Sequence, residues 1–292
     1  MNHLLVFGYG FTGPALARRM MADGWTVTAV VRSEATAAKA LAHGVATVDV
    51  ADRPGLVQAL KTATAILITA PPTEAGCPGL NTLIPALAEA NAFPDWIGYL
   101  STTGVYGDRE GRWVFEAGPL SARSIESARR VSAERDWRQV GRGMGLTVTA
   151  FRLPGIYGPG RSALDRVRDG TAHGIVKPGQ VFSRIHVDDL AVGLAASIAR
   201  PRAGASYNLC DDEPAPSHAV NAFAARLLGR EPPPLVAFED ANLTDAARRF
   251  WSENKRVSNS LAKAELGWRP AYPTYREGLT AVLAAESGED RP

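Results

Sequence analysis

Cysteine is nearly missing from this sequence: Cys77 and Cys210 are the only two in 292 residues. Two distant cysteines rule out a disulfide framework and a thiolate metal cluster, and a reducing, cytosolic setting is the simplest expectation. Neither sign of charge is in excess, with 32 basic against 30 acidic residues. That balance leaves no electrostatic footprint for nucleic acid or for a membrane surface. No apolar run approaches the ~20 residues that cross a bilayer. The chain enters an apolar run at His3, so no secretory leader is expected ahead of it. No internal repeat is visible. Lysine is scarce, only Lys39, Lys61, Lys177, Lys255 and Lys263 among the basic residues, and this reads as codon usage rather than chemistry.

What remains is 46% hydrophobic, enough for one large α/β domain or a domain with a smaller lobe. The organising stretch is Leu4 to Gly13. An apolar run, His3 to Phe7, ends in Gly8-Tyr9-Gly10-Phe11-Thr12-Gly13, and a helical pattern follows with Ala15, Leu16, Met20 and Met21 on one face. In a strand–turn–helix of this kind Gly8 permits the tight turn, Gly10 lets a pyrophosphate approach the backbone, and Gly13 lets helix and strand pack closely. The helix N-terminus then offers unpaired N–H groups to the phosphates, and Pro14 suits an early position that needs no N–H. The expected fold is α/β, a Rossmann-type doubly wound parallel sheet with a smaller C-terminal substrate lobe.

Further strands are expected at Thr26–Val31, Ala46–Val50, Ala65–Thr69, Trp96–Leu100 and Thr147–Leu153, with helices over Leu80–Ala90 and Leu120–Glu134. Ligands of open α/β sheets bind at the C-terminal ends of the strands, so those ends nominate contacts. Arg32-Ser33 closes the second strand, where an arginine pairs with a 2′-phosphate, so NADP is favoured and NAD remains possible. Asp49-Val50 would lie beside the adenine, although Asp49 also suits a turn. Thr69-Ala70-Pro71 stiffens the loop after the fourth strand, and Ser101-Thr102-Thr103 follows the fifth. Asp188 and Asp189 are read as the N-cap of the helix at Leu190–Ala199 rather than as metal ligands, and Ser217 as the cap of another, Ser217–Leu228.

The motifs G-Y-G-F-T-G, L-S-T-T-G-V-Y-G at Leu100 to Gly107, F-R-L-P-G-I-Y-G-P-G at Phe151 to Gly160 and R-I-H-V-D-D-L-A at Arg184 to Ala191 follow one another along the chain. In that order they resemble the extended short-chain dehydrogenases/reductases, the NAD-dependent epimerase/dehydratase superfamily. N-K-R-V-S-N at Asn254 to Asn259 and L-G-W-R-P-A-Y-P-T-Y-R-E-G-L at Leu266 to Leu279 are similar to its atypical YeeZ-like subgroup. The resemblance implies a hydroxyl role for Thr102, with Thr103 beside it, and backbone contacts from Leu153-Pro154 to the nicotinamide. It also implies a Tyr-x-x-x-Lys helix, which this sequence does not have. The aligned positions hold Glu126 and Arg130, and no lysine follows a tyrosine by four residues. Arg130 is expected to hold the nicotinamide ribose and to pair with Glu126 one helical turn away. Glu126 would serve as a base only if burial raised its pKa. Tyr157 is the substitute proton donor, placed in a loop facing the substrate.

Residues 1–155 and 186–204 are assigned to the dinucleotide-binding domain, 156–185 and 205–286 to the substrate lobe, and 287–292 to a polar tail. The functional expectation is an NADP-dependent oxidoreductase or epimerase/dehydratase acting on a small polar substrate, as a monomer or homodimer. The alternative is a dinucleotide-binding redox sensor or partner-binding protein without chemistry.

Overall fold

The computed structural model describes residues 2–288. The chain alternates strand and helix through its first hundred residues: β1 (His3–Phe7), α1 (Thr12–Ala22), β2 (Thr26–Val31), α2 (Glu34–Ala42), β3 (Ala46–Asp49), α3 (Arg53–Leu60), β4 (Ala65–Ile68), α4 (Pro78–Ala90) and β5 (Trp96–Thr102). Then come β6 (Trp113–Val114), α5 (Ile125–Met144), β7 (Val148–Leu153), β8 (Gly155–Tyr157), α6 (Ala163–Arg168), β9 (Gly174–Val176), β10 (Arg184–His186), α7 (Val187–Ala199) and β11 (Ser206–Asn208). The last part holds α8 (Ser217–Leu227), β12 (Leu235–Ala237), α9 (Asp245–Trp251), β13 (Arg256–Val257), α10 (Ser260–Leu266) and α11 (Tyr275–Ser287).

Seven of these strands form one parallel sheet in the order β11-β7-β5-β4-β1-β2-β3. The chain builds outward from β1 to β3, then crosses back to lay β4 on the other side of β1. That reversal leaves a crevice between β1 and β4 at their C-terminal ends, the place where such sheets receive ligands. Both faces of the sheet are covered, which is why its strands are apolar throughout. Alternate residues of β1 serve alternate faces: Leu4 and Val6 pack with α1, α7 and α10, while Leu5 and Phe7 pack with α3 and α4.

Several elements start or end elsewhere than the sequence suggested. The helix expected from Leu120 begins at Ile125, because the Ser124 hydroxyl accepts the Ser127 N–H and caps it there. It then runs past Glu134 to Met144 and stops at left-handed Gly145. Helix α7 is not capped by an aspartate. His186 is its N-cap, with Nδ1 accepting the Asp188 N–H at 3.2 Å, while Asp189 accepts the N–H groups of Ala271 and Tyr272 across the fold. Ser217 is the first residue of α8 rather than its cap, and no side chain caps that helix.

The assignment of all of residues 205–286 to the lobe also needs correction. Ser206–Asn208 pairs with β7 as the outer strand of the main sheet, and Ala262, Leu266 and Trp268 are buried in the core of that sheet. Strand pairing is a long-range choice that a three-residue strand does not encode. Outside the sheet, α6, α8 and α11 share a separate apolar cluster, and Trp251, Ile175 and Ala241 share another. Of the expected tail, Ser287 ends α11 and residues 289–292 lie outside the described part.

A buried polar network fixes the C-terminal edge. Glu134 on α5 is fully buried and pairs with Arg152 of β7, Oε2 to Nη2 at 2.9 Å. Ser101 donates to the same carboxylate at 2.6 Å. Arg152 donates in turn to the Tyr106 hydroxyl, which donates to Asn208 of β11 at 2.7 Å. Removing one partner from such a pair leaves an uncompensated buried charge, so the network ties α5, β5, β7 and β11 into one rigid platform.

Candidate cofactor and substrate site

The glycine turn lies at the crevice between β1 and β4. Gly8 has φ +91°, and a side chain there would meet the Thr69 hydroxyl at 2.7 Å. That hydroxyl donates to the Gly8 carbonyl, so Thr69 holds the turn. A Cβ on Gly13 would sit 3.0 Å from the Tyr9 ring and 3.5 Å from Val6, which is the close helix–strand contact expected of the third glycine. Gly10 differs: nothing lies within 4 Å of where its Cβ would be. The N-terminus of α1 follows directly, with Phe11 as N-cap, no side-chain cap and no acidic residue in the first turn. Unused N–H groups and an open glycine face make a cradle for a phosphate. Buried Thr12 opens this helix. Tyr9 is corrected: its ring is buried in the core and its hydroxyl meets His43 Nδ1 at 3.2 Å, so only its backbone belongs to the turn.

The other strand ends surround this cradle. Arg32 is exposed and enters no ion pair among the described residues. Ser33 caps α2 through the Thr36 N–H. Asp49 accepts the Ala51 N–H at 2.8 Å and makes the turn into α3, while Val50 and Ala70 pack against the sheet core, with exposed Pro71 next in the loop. The Ser101 hydroxyl is committed to Glu134 on the side of the sheet that α5 covers, because successive side chains of a strand point to opposite faces. The cradle, the open Gly10 face and free-standing Arg32 fit an anionic dinucleotide.

Beside them a cleft of about 480 Å³ opens at the ends of β5 and β7, and Thr102, Thr103, Leu153, Pro154, Glu126 and Lys255 lie along it. Thr102 accepts the Gly104 N–H at 3.1 Å, capping the short 3-10 turn Thr103–Tyr106. An acceptor bond uses the oxygen, so the Thr102 proton remains for a substrate oxygen. Thr103 is buried next to it.

Three expectations about the candidate catalytic residues fail here. Arg130 does not pair with Glu126; its guanidinium turns onto the Leu100 carbonyl and lies over the Tyr99 ring at 5.9 Å. Glu126 stands in the first turn of α5, not a turn inside it, and is fully solvated. Its own N–H and the Ser124 hydroxyl hold its carboxyl below the usual range, so burial does not raise it into a base's range. Tyr157 faces away from the cleft. Its ring is buried against α11, where a side chain on Gly278 would overlap its hydroxyl, and burial drives its pKa upward.

The family model described as NAD dependent epimerase/dehydratase matches residues 4–210. Protein YeeZ of Escherichia coli strain K12 is 30% identical over 94% of this chain and 97% of its own length. The chain belongs to the NAD-dependent epimerase/dehydratase family. A solved structure described as a functionally unknown conserved protein from Silicibacter pomeroyi superposes with a TM-score of 0.90 at 45% identity, covering 98% of this chain and 99% of that one. The dTDP-glucose 4,6-dehydratase of Bacillus anthracis, solved in complex with NAD, has the same fold with a TM-score of 0.78 at 18% identity, covering 99% of this chain and 98% of that one.

Within this epimerase/dehydratase chain the cleft also holds a lysine to which the sequence reading gave no chemistry. Lys255 reaches it from the segment before β13. Its ammonium donates to the Gly107 carbonyl at 2.8 Å and pairs with Glu253 at 2.5 Å, and burial lowers its pKa. Residue spacing gave no signal for this, because Lys255 lies far along the chain from Thr102.

Asp211, next to β11, is the other unanticipated group. It is buried, and loss of solvent pushes its carboxyl up to about 8 against the pull of Arg184, with Asp212 and Glu213 adding to the rise. A carboxyl raised by folding contributes stability while protonated. That contribution is complete below about pH 4 and is lost as pH climbs through about 8. Asp211→Asn cannot ionise, so its stability should fall less between pH 5 and 9, by on the order of a few kcal/mol. Denaturant titrations at several pH values test this; parallel pH profiles for the two proteins would refute it.

Proposed function

We propose that this epimerase/dehydratase-family protein is an NADP-dependent oxidoreductase or epimerase/dehydratase-type enzyme for a small polar substrate. One observation carries the reading: the cleft at Thr102 and Lys255 opens on the same edge of the sheet as the uncapped α1 N-terminus and the open face of Gly10. When bound, the dinucleotide supplies or accepts a hydride. The chain's own residues do the rest. The α1 N–H groups hold the pyrophosphate, Arg32 the 2′-phosphate, and Leu153 with Pro154 line the wall beside the nicotinamide. Thr102 donates a hydrogen bond to the reacting oxygen. The Lys255 ammonium, kept charged by Glu253, gives that oxygen a proton in reduction and takes it back in oxidation. Glu126, ionised and solvated, orients a polar group at the mouth.

Arg32 should decide the cofactor. Calorimetric titration of NADP(H) and NAD(H) should give tighter binding of NADP(H), and Arg32→Ala should remove the preference. A charge-assisted contact of this kind contributes about 1.5–3 kcal/mol, roughly ten- to hundredfold in affinity. Equal affinities in the wild type would overturn the preference. A second reading rests on Glu126 and on Arg130, which is turned onto Leu100: a dinucleotide sensor without turnover. A panel of carbonyl and hydroxyl compounds discriminates, because a protein that binds cofactor and converts none of them fits the sensor.

A further inference from the structure

Behind the cleft lies a second cavity of about 350 Å³, joined to it through shared walls at Gly155, Phe182, Ser183 and Phe250. Its charged lining has one sign: Arg161, Arg166 and Arg184 border it, and no carboxylate does. None of the three arginines enters an ion pair among the described residues. Arg161 lies over the Phe11 ring, Arg166 donates to the Asn221 side chain, and Arg184 donates to the carbonyls of Glu213 and Ala215. Arg184 is half-buried, and burial followed by the Arg184 charge lowers the pKa of Arg166 while Asp165 opposes the fall. Two guanidiniums that border one cavity repel each other, and an anion between them relieves the repulsion. Asp211 is the carboxyl that acts most on Arg184, yet the two form no ion pair among the described residues, and burial raises the Asp211 carboxyl against the pull of Arg184.

The rest of the lining is aromatic and apolar. The Arg184 guanidinium lies 5.4 Å from the Tyr275 ring, and Phe182 and Phe250 stack at 5.0 Å with Trp251 edge-on to Phe182. Buried Tyr157 also borders the space, and its hydroxyl has no hydrogen-bond partner among the described residues. An inorganic ion alone would leave these rings without a contact. We infer that this cavity binds the anionic end of an aryl substrate, a carboxylate or phosphate held by Arg166 and Arg184, with the reactive group of the same molecule lying in the cleft. This rests on the proposal that the cleft takes a substrate.

The test uses calorimetric titration of benzoate, phenyl phosphate and inorganic phosphate into NADP-loaded protein, so that the dinucleotide's own phosphate site is filled. At least one of the two aryl probes should bind at least about tenfold more tightly than inorganic phosphate, and the two arms identify the head group. Arg166→Met and Arg184→Met should each weaken that binding at least about tenfold. Arg184→Met also removes two bonds to backbone carbonyls; if it unfolds, Arg166→Met alone decides. No aryl binding by the wild type, affinity unchanged in the arginine variants, or inorganic phosphate binding as tightly as the better of the two aryl probes would overturn the inference. NADP affinity is measured on the same proteins and should not change. A wild type that takes no NADP defeats the proposed function instead, and the same titrations on cofactor-free protein then judge the cavity by itself.

Discussion

Gly10→Val will abolish dinucleotide binding and leave the protein folded. The two halves of that result have separate causes. Nothing lies within 4 Å of where a Cβ at residue 10 would stand, and the backbone there is not in the left-handed region. Folding should therefore lose little, and a melting temperature within a few degrees of wild type is expected. The space the side chain fills is the space over the uncapped N-terminus of α1, where a pyrophosphate must come close to the backbone. Affinity should fall by about a thousandfold or more, because the phosphates lose their N–H contacts together. Gly8 is the contrasting position. Its φ of +91° and its 2.7 Å approach to Thr69 mean that a side chain there damages fold and binding at once. Calorimetry and thermal melts on both variants separate the two glycines. A folded Gly10→Val protein that binds NADP normally would show that the turn serves the fold alone.

Lys255→Met should lower turnover by about 10²- to 10⁴-fold, the usual contribution of a positioned acid or base, while cofactor affinity stays unchanged. The lysine lies on the cleft with Thr102, and burial pulls its pKa below the ordinary value while Glu253 opposes the shift. In the oxidation direction the neutral amine is the active form, so the rate should rise with pH through a limb below 10.5, the usual lysine value. Lys255→Arg keeps the positive charge next to Glu253 but does not give up a proton near neutral pH. If Lys255 only anchors the Gly107 carbonyl and balances Glu253, arginine rescues turnover. If it carries the proton, arginine does not, and the basic limb disappears. Full activity in both variants would remove Lys255 from the chemistry.

The sequence by itself determined the framework. Apolar runs of strand length ending in glycine, arginine or threonine placed β1, β2 and β5 and the ligand-facing edge of the sheet. Local chemistry suffices for this: a buried parallel strand must be apolar, and a turn near a phosphate needs glycine. The spacing placed a tight turn at Gly8 and a close helix–strand contact at Gly13, and the structure has both. The motif order placed the chain in its family before any contact was known.

What the sequence left undecided depends on direction and on distance. Counting back from Glu134 put Glu126 a full turn inside the helix. Ser124 caps that helix only two residues before Glu126, and a residue in the first turn sits among unpaired N–H groups that keep a carboxyl ionised. Arg130 was assigned to Glu126 by spacing, but its guanidinium turns inward to the Leu100 carbonyl and the Tyr99 ring, while Glu126 stands in solvent in the first turn. Ser101 and Thr102 are adjacent in sequence, yet strand alternation sends one hydroxyl to Glu134 and the other to the cleft. Tyr157 looked exposed in a Gly-Pro loop until α11, more than a hundred residues later, closed over its ring. Lys255 at the cleft, the arginine cavity behind it and β11 as the sheet's outer strand arise the same way. Each joins segments distant in the chain, and only the packing of the whole fold brings them together.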